Sequence, residues 1–185
     1  TGGADGRRAY LDRILEQMDT VYATTKATYD KALRSRNRLL KDETLDKRSI
    51  HAFDEILSDA GAVIVRCRSE LVRDLAPRVE RAFSDVVGED VPLSVRYKPR
   101  IAGDAATLRR ALVESLEKDR ARGFTAEGPH ADELALSVKD VAARHHASQG
   151  QHRVMVLALK VAELDVLAAR TGRVPVLLLD DLSSE

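Results

Sequence analysis

The sequence predicts an α/β fold joined to a long helical arm. Two observations point to it: the first half of the chain repeats apolar residues at helical spacing over two long stretches, and its end combines a turn, a helix and a strand. That strand, residues 174–179, contains only apolar residues and proline and runs into Asp180 and Asp181, as expected for a buried strand of a parallel sheet. Ligands of open α/β sheets bind just outside the carboxyl ends of such strands.

The two long helical stretches are predicted at residues 7–41 and 49–87. No Gly or Pro interrupts the first, whereas Gly61 and Pro77 mark points where the second is expected to bend. Two long helices joined by a short polar loop are expected to pack antiparallel.

Shorter elements follow the arm. We expect strands at 93–97 and 134–138, and a helix at 105–122 that Asp104 caps and Gly123 ends. Residues 141–146 are ambiguous, and a further helix at 149–170 ends at Thr171-Gly172 before the last strand. The predicted division is a helical arm domain at 1–122 and an α/β segment at 123–185.

The composition excludes some classes of protein but does not identify one. The 185 residues hold 30 basic and 30 acidic side chains, so the net charge does not indicate a nucleic-acid-binding protein. The single Cys67 excludes a disulfide framework and fits a reducing cytoplasm, and no apolar run reaches the length of a membrane span. Because the chain opens on Thr1 rather than Met, we expect a fragment of a longer protein.

Two parts of the end of the chain could serve phosphate chemistry. The small polar turn Ser148–Gln151 begins a helix, and free N–H groups at a helix N-terminus bind phosphate. Asp180 and Asp181 could hold Mg²⁺, which prefers oxygen ligands. The alternatives are an ordinary N-cap at Ser148 and a solvated acidic turn. The sequence contains no Gly-x-x-x-x-Gly-Lys-Ser/Thr, the usual phosphate anchor.

A family resemblance rests on the order of these parts. The sequence reads Ser148-x-Gly150-Gln151-x-Arg153, then a helix rich in Leu and Ala, then Asp180-Asp181-x-x-Ser184-Glu185. This resembles the signature motif and Walker B strand of ABC-type ATPase heads and, more narrowly, the RecF family of SMC-like DNA-repair ATPases.

Two further stretches are similar to RecF motifs. They are Arg36-Asn37-x-Leu39-Leu40-Lys41 in the arm and Thr125-x-x-Gly128-Pro129-His130-x-Asp132 after it. Ala131 stands where the family usually has a basic residue. His130, after Gly-Pro, is expected to be a hydrogen-bonded structural histidine.

The resemblance implies a fold and a site. The fold would be the C-terminal part of an ABC/SMC-like head of the P-loop NTPase class, with an inserted helical arm or lid. Asp180 would hold Mg²⁺ through a bound water, and Asp181 would act as the catalytic residue that orients the attacking water. Ser148, Gly150 and Gln151 would bind ATP held by a second subunit, so that ATP joins a homodimer.

The resemblance also implies a role. It indicates a cytoplasmic, ATP-dependent DNA-binding protein of replication, recombination and repair, within the SOS response. It would act at gapped DNA, where single and double strands meet, and help RecO and RecR to load RecA. The complete protein would be a weak DNA-dependent ATPase, whereas this chain, without the phosphate loop, is not expected to hydrolyse ATP alone.

DNA contact is predicted for one basic stripe. Arg34, Arg38 and Lys41 lie at i, i+4 and i+7 and share one helix face, where they could contact phosphates. The alternative is a solvated face paired with acids such as Asp30. No aromatic residues are interleaved with the stripe to suggest base stacking.

Two other interpretations remain open. The long helices and the missing phosphate loop also fit a coiled-coil interaction protein without nucleotide chemistry. A head of another SMC-like ATPase is the third, although the short arms argue against it. His145, His146 and His152 have no spacing that fits a tetrahedral metal site.

Overall fold

The chain is mainly helical with a small sheet. In its computed structural model, the described residues are 3–139, 141–143 and 147–176. Their elements, in chain order, are α1 (Ala4–Met18), α2 (Thr20–Leu39), α3 (Lys47–Val87), β1 (Leu93–Lys98), α4 (Ala105–Arg122), a 3₁₀ turn (Pro129–Ala131), β2 (Glu133–Val138), β3 (Val141–Ala142) and α5 (Gln149–Thr171).

The first predicted helix is in fact two helices, and the prediction of one uninterrupted helix is wrong. The break is at Asp19, whose backbone is extended at φ −142° and ψ 109°. Its carboxylate accepts a hydrogen bond from the N–H of Val21 at 2.8 Å and so caps α2. Aspartate side chains compete in this way with the helical hydrogen bonds of the backbone, without any Gly or Pro.

The second predicted helix is one continuous helix of 41 residues, α3, and both Gly61 and Pro77 lie inside it. Gly61 is a place of close approach: a Cβ there would lie 2.7 Å from Cδ2 of Leu108. α2 packs antiparallel to α3, as predicted, because Tyr29 lies near Gly61 while Arg36, further along α2, reaches back to Asp54.

The shorter elements lie where the sequence places them. Asp104 caps α4 by accepting from the N–H of Thr107 at 2.9 Å, and Gly123 ends the helix in the left-handed conformation at φ 74°. Gly172 ends α5 in the same way at φ 67°. Part of the ambiguous stretch is the short strand β3.

The sheet has the strand order β1-β2-β3. β2 and β3 are antiparallel, with Ser137 opposite Ala142 and Val138 opposite Val141. The predicted last strand is not seen in its described part: Val174 and Val176 are 89% and 82% exposed and belong to no strand. A buried strand needs neighbours on both sides, and the described residues supply none to it. Residues 177–185 lie outside the described part.

The chain forms two compact units. One contains residues 74–95 and the described residues between 136 and 176, and its buried side chains include Leu75, Phe83, Val95, Met155 and Ala162. The other contains residues 3–73 and 96–135 and buries Leu11, Tyr22, Ile64, Leu112 and Leu134 among others. The predicted boundary between residues 122 and 123 stays a prediction.

None of the helices among the described residues combines the length and the apolar character needed to cross a bilayer.

Candidate functional site

A buried arginine joins three elements of the second unit. Arg36 of α2 is fully buried, and its Nε donates to Oδ1 of Asp54 on α3 at 2.7 Å. Its Nη1 donates to Asp119 of α4 at 2.9 Å and to the hydroxyl of Thr125 at 2.8 Å. A buried guanidinium is tolerated because it is paired with carboxylates and its N–H groups are bonded.

A second buried arginine, Arg68 of α3, binds Asp12 of α1. It forms a bidentate pair with Asp12, at 2.8 and 2.9 Å, and donates to Asp132 at 3.1 Å. The hydroxyl of Tyr22 donates to the same Asp12 at 2.6 Å, and that of Tyr97 donates to Asp132. Burial, reinforced by the negative charge of Asp132, raises the pKa of Tyr97, so this hydroxyl keeps its proton.

His130 lies between these two clusters. Its Nε2 is 2.9 Å from the carbonyl oxygen of Thr125, which only accepts, so Nε2 carries the ring proton. Nδ1 then accepts from the hydroxyl of Tyr29 at 2.6 Å. Burial lowers the pKa of His130 and favours this neutral form. The predicted hydrogen bonds of His130 are confirmed, and its structural rather than catalytic role stays a prediction.

Residues of the two further motifs contact other parts of the same unit. Arg36 and Asn37 bind Thr125, and Asp132 binds Arg68. Gly128 has φ 135°, and a Cβ there would lie 2.5 Å from the hydroxyl oxygen of Tyr29. Only glycine fits that position without displacing the Tyr29–His130 pair.

The predicted basic stripe lies on the surface of the same unit. Arg34, Arg38 and Lys41 are all exposed, at the end of α2 and just beyond it. Asp30, suggested as a partner, instead pairs with Lys26. The stripe is thus open to a phosphate backbone, and whether it binds DNA stays a prediction.

Phe124 was not identified as a candidate site residue from the sequence. Phe124 directly follows the end of α4, and half of its surface is exposed. Its neighbour Gly123 lies against the side chain of Lys41, with a built Cβ 3.5 Å from Cγ and Cε. No aromatic residue is interleaved with the stripe in the sequence, whereas Phe124 comes from a distant part of the chain.

The Ser148 turn forms a capping box in the other unit. The N–H of Gln151 donates to the hydroxyl oxygen of Ser148 at 3.1 Å, and the Gln151 side chain accepts from the N–H of Ser148 at 2.9 Å. The ordinary N-cap interpretation is thus correct for Ser148. It leaves phosphate binding open, because a hydroxyl that accepts from an N–H still has its own proton to donate.

The turn is also open to solvent. Ser148 and Gly150 are exposed, and a Cβ built on Gly150 meets only the Ser148 hydroxyl, at 3.9 Å. Packing within the described chain does not require glycine here, so the open space suits an approaching phosphate. Asp180 and Asp181 lie outside the described residues, and the described part holds no cluster of metal-ligating side chains.

Comparison with known proteins assigns the chain to a family. No protein-family model matches it. Curated relatives called DNA replication and repair protein RecF do: that of Myxococcus xanthus is 40% identical over 195 residues, that of an Anaeromyxobacter species 44% over 193, and that of Gloeobacter violaceus 39% over 195. Each match covers 100% of this chain but only 51–52% of the relative.

Solved structures of RecF proteins also resemble this chain. The chain resembles a RecF–ATP structure, described as a recombination mediator in the RecFOR pathway, with a TM-score of 0.91 and 30% identity over 98% of this chain and 51% of that one. A RecF structure with ATPγS gives 0.91 and 31%, covering 100% of this chain and 52% of that one. The predicted fold class, part of an ABC/SMC-like ATPase head with a helical arm, is confirmed. The chain belongs to the RecF family and spans about half the length of the relatives it matches.

Proposed function

We propose that this chain is part of an ATP-dependent DNA-binding protein that acts at gapped DNA during replication, recombination and repair. The observation that carries the proposal is similarity along the whole chain to proteins named for DNA replication and repair, together with the TM-score of 0.91 to RecF bound to ATP. With RecO and RecR as partners, the protein would help to place RecA on single strands in the cytoplasm.

Nucleotide chemistry would be divided between subunits. Ser148, Gly150 and Gln151 would contact the phosphates of ATP held by a second copy, and the exposed turn and its open space support this role. Asp180 would bind Mg²⁺ through a water, and Asp181 would orient the attacking water. Because ATP would bind the closed dimer better than the monomer, it would shift the equilibrium towards the dimer.

The surface of α5 supports a larger head around this segment. Val156, Leu157 and Val161 are 44%, 37% and 37% exposed, whereas Met155 and Ala158 on its other side are buried. A helix with apolar residues on both sides is typical of the interior of an α/β layer. We propose that the α/β segment 123–185 belongs to that layer and that the arm domain comprises 1–122.

DNA would be held by charge at the arm. The exposed Arg34, Arg38 and Lys41 would contact phosphates, each displacing counterions and adding to a salt-dependent affinity. Such contacts position a protein on DNA without reading its sequence, as a protein that acts at gaps of any sequence requires.

A substitution in the turn tests the division of the nucleotide site. In the full-length gene product, Ser148→Arg should abolish dimerisation by Mg-ATP, because a bulky cation would fill the space meant for the γ-phosphate. Nucleotide binding by the monomer should be retained. Sedimentation velocity with and without ATP measures the first and calorimetry the second. Equal loss of both would contradict binding across the dimer, and ATP-independent association of the parent protein would contradict the proposal as a whole.

A further inference from the structure

Phe124 has an exposed position on a rigid turn. Half of its surface is open to solvent, although the residues on either side are tied down. The N–H of Phe124 itself donates to the carbonyl of Asp119 at 3.2 Å. The N–H and hydroxyl of Thr125 both donate to Oδ1 of Asn37, at 2.8 and 2.7 Å, and the N–H of Ala126 donates to Oδ1 of Asp119 at 3.0 Å.

The buried cluster of Arg36, Asp54, Asp119 and Thr125 holds this turn in place. Arg36 holds both Asp119 and the Thr125 hydroxyl, so the acceptors of the turn are themselves immobilised. An aromatic side chain presented on such a turn loses little further freedom on binding, because its backbone is already ordered. Preorganisation of this kind favours a specific contact.

Positively charged side chains lie near the turn that carries Phe124. Lys41, just beyond the end of α2, lies against Gly123, the residue before Phe124. Asn37, near the end of α2, binds Thr125, the residue after Phe124. The side chain of Arg120 reaches the carbonyl of Glu43 at 3.1 Å, which brings the end of α4 next to the α2–α3 loop. Arg38, Arg120 and Arg122 are exposed here, and Asp42 and Glu43 are the acids on the loop.

An aromatic ring among cations fits one class of partner best. A protein partner would be expected to use a contiguous apolar patch. Lys41, Arg120 and Arg122, by contrast, are exposed and charged. Nucleic acid offers phosphates for the cations and a π-face for the ring, and proteins that bind single strands combine these two contacts without sequence preference. Stacking on the face of a base requires a base that is not enclosed in an intact duplex.

We propose that Phe124 stacks on an unpaired base of DNA while Arg38 and Lys41 bind the adjoining phosphates. The inference rests on the proposed DNA-binding function and deepens it: the phosphate contacts serve any DNA, and Phe124 adds affinity only where a base is unpaired. The end of the arm thereby distinguishes a gap or overhang from a continuous duplex.

The test compares two DNA probes on the full-length gene product with Mg-ATP. One is a duplex with a single-stranded gap that carries 2-aminopurine at its first unpaired position, and the other is the same duplex without a gap. Phe124→Ala should weaken binding to the gapped probe about tenfold and leave the continuous duplex unchanged. Phe124→Leu should behave like Ala, because it keeps an apolar side chain without a π-face, and Phe124→Trp should restore binding.

Controls separate this contact from folding and from general DNA binding. Val113→Ala removes another exposed apolar side chain of α4, at 44% exposure, and should change neither affinity. The 2-aminopurine fluorescence should be quenched by the parent protein and by Phe124→Trp but not by Phe124→Ala. Equal weakening on both probes, or no weakening on either, would overturn the stacking contact alone. No DNA binding by the parent protein would overturn the proposed function with it.

Discussion

At the scale of single residues, His130 is a neutral link between two charged clusters. It donates to Thr125 and accepts from Tyr29, and burial lowers its pKa. A protonated ring would present two donors and would require the Tyr29 hydroxyl to turn its own proton elsewhere. The folded state therefore resists protonation at this position.

Because the pKa of His130 differs between the folded and the unfolded chain, the free energy of unfolding depends on pH in a definite direction. In the unfolded chain the His130 imidazole takes up a proton near its ordinary pKa of about 6.5, whereas the folded chain does so only at lower pH. Its contribution to stability is therefore complete above pH of about 6.5 and is lost as pH falls towards the folded pKa. His130→Gln should lose less stability between pH 7.5 and 5.5 than the parent chain, as measured by urea unfolding.

The glutamine variant is a close match for the neutral ring. Its amide oxygen can accept from Tyr29 and its NH₂ group can donate to Thr125, so unchanged circular dichroism at pH 7.5 is the control. Equal loss of stability in both proteins over this range would contradict a buried neutral histidine.

At the scale of elements, Arg36 connects α2, α3 and α4. Arg36→Ala would leave the buried carboxylates of Asp54 and Asp119 without their cation, and it should lower the free energy of unfolding by about 3–5 kcal/mol. Arg38→Ala, two residues along the same helix but exposed, is the matched control and should stay within about 0.5 kcal/mol. Urea denaturation of both variants measures the difference, and similar values would show that the buried cluster does not hold the helices together.

Most element boundaries were predictable because their signals are local. Asp104 and Gly123 frame α4, and Ser148 and Gly172 frame α5, through hydrogen bonds within one turn. The break at Asp19 was missed because aspartate is compatible with a helix interior and becomes a cap only where the chain must turn. The close approach of Leu108 to Gly61 was not predicted, because it depends on contact with a distant helix.

At the scale of the whole molecule, the candidate site was predictable only in part. Helical spacing predicted a common face for Arg34, Arg38 and Lys41; all three are exposed, although Lys41 lies just beyond the end of α2. The position of Phe124 depends on tertiary contacts through Gly123 and Asn37, which no local pattern contains. Asp180 and Asp181 lie outside the described residues, so their roles rest on resemblance.

The central claim is that the arm holds DNA through the basic stripe, and the salt dependence of binding tests it most directly. The full-length gene product with Mg-ATP would be titrated with gapped duplex at several salt concentrations. Replacing Arg34, Arg38 and Lys41 by Gln should reduce the slope of log K against log salt by about 2–3, because each lost phosphate contact removes about 0.9. Replacing the exposed Arg66, Arg73 and Lys98 by Gln makes the same charge change elsewhere and should leave the slope intact. An unchanged slope in the first variant, or an equal reduction in both, would contradict the claim.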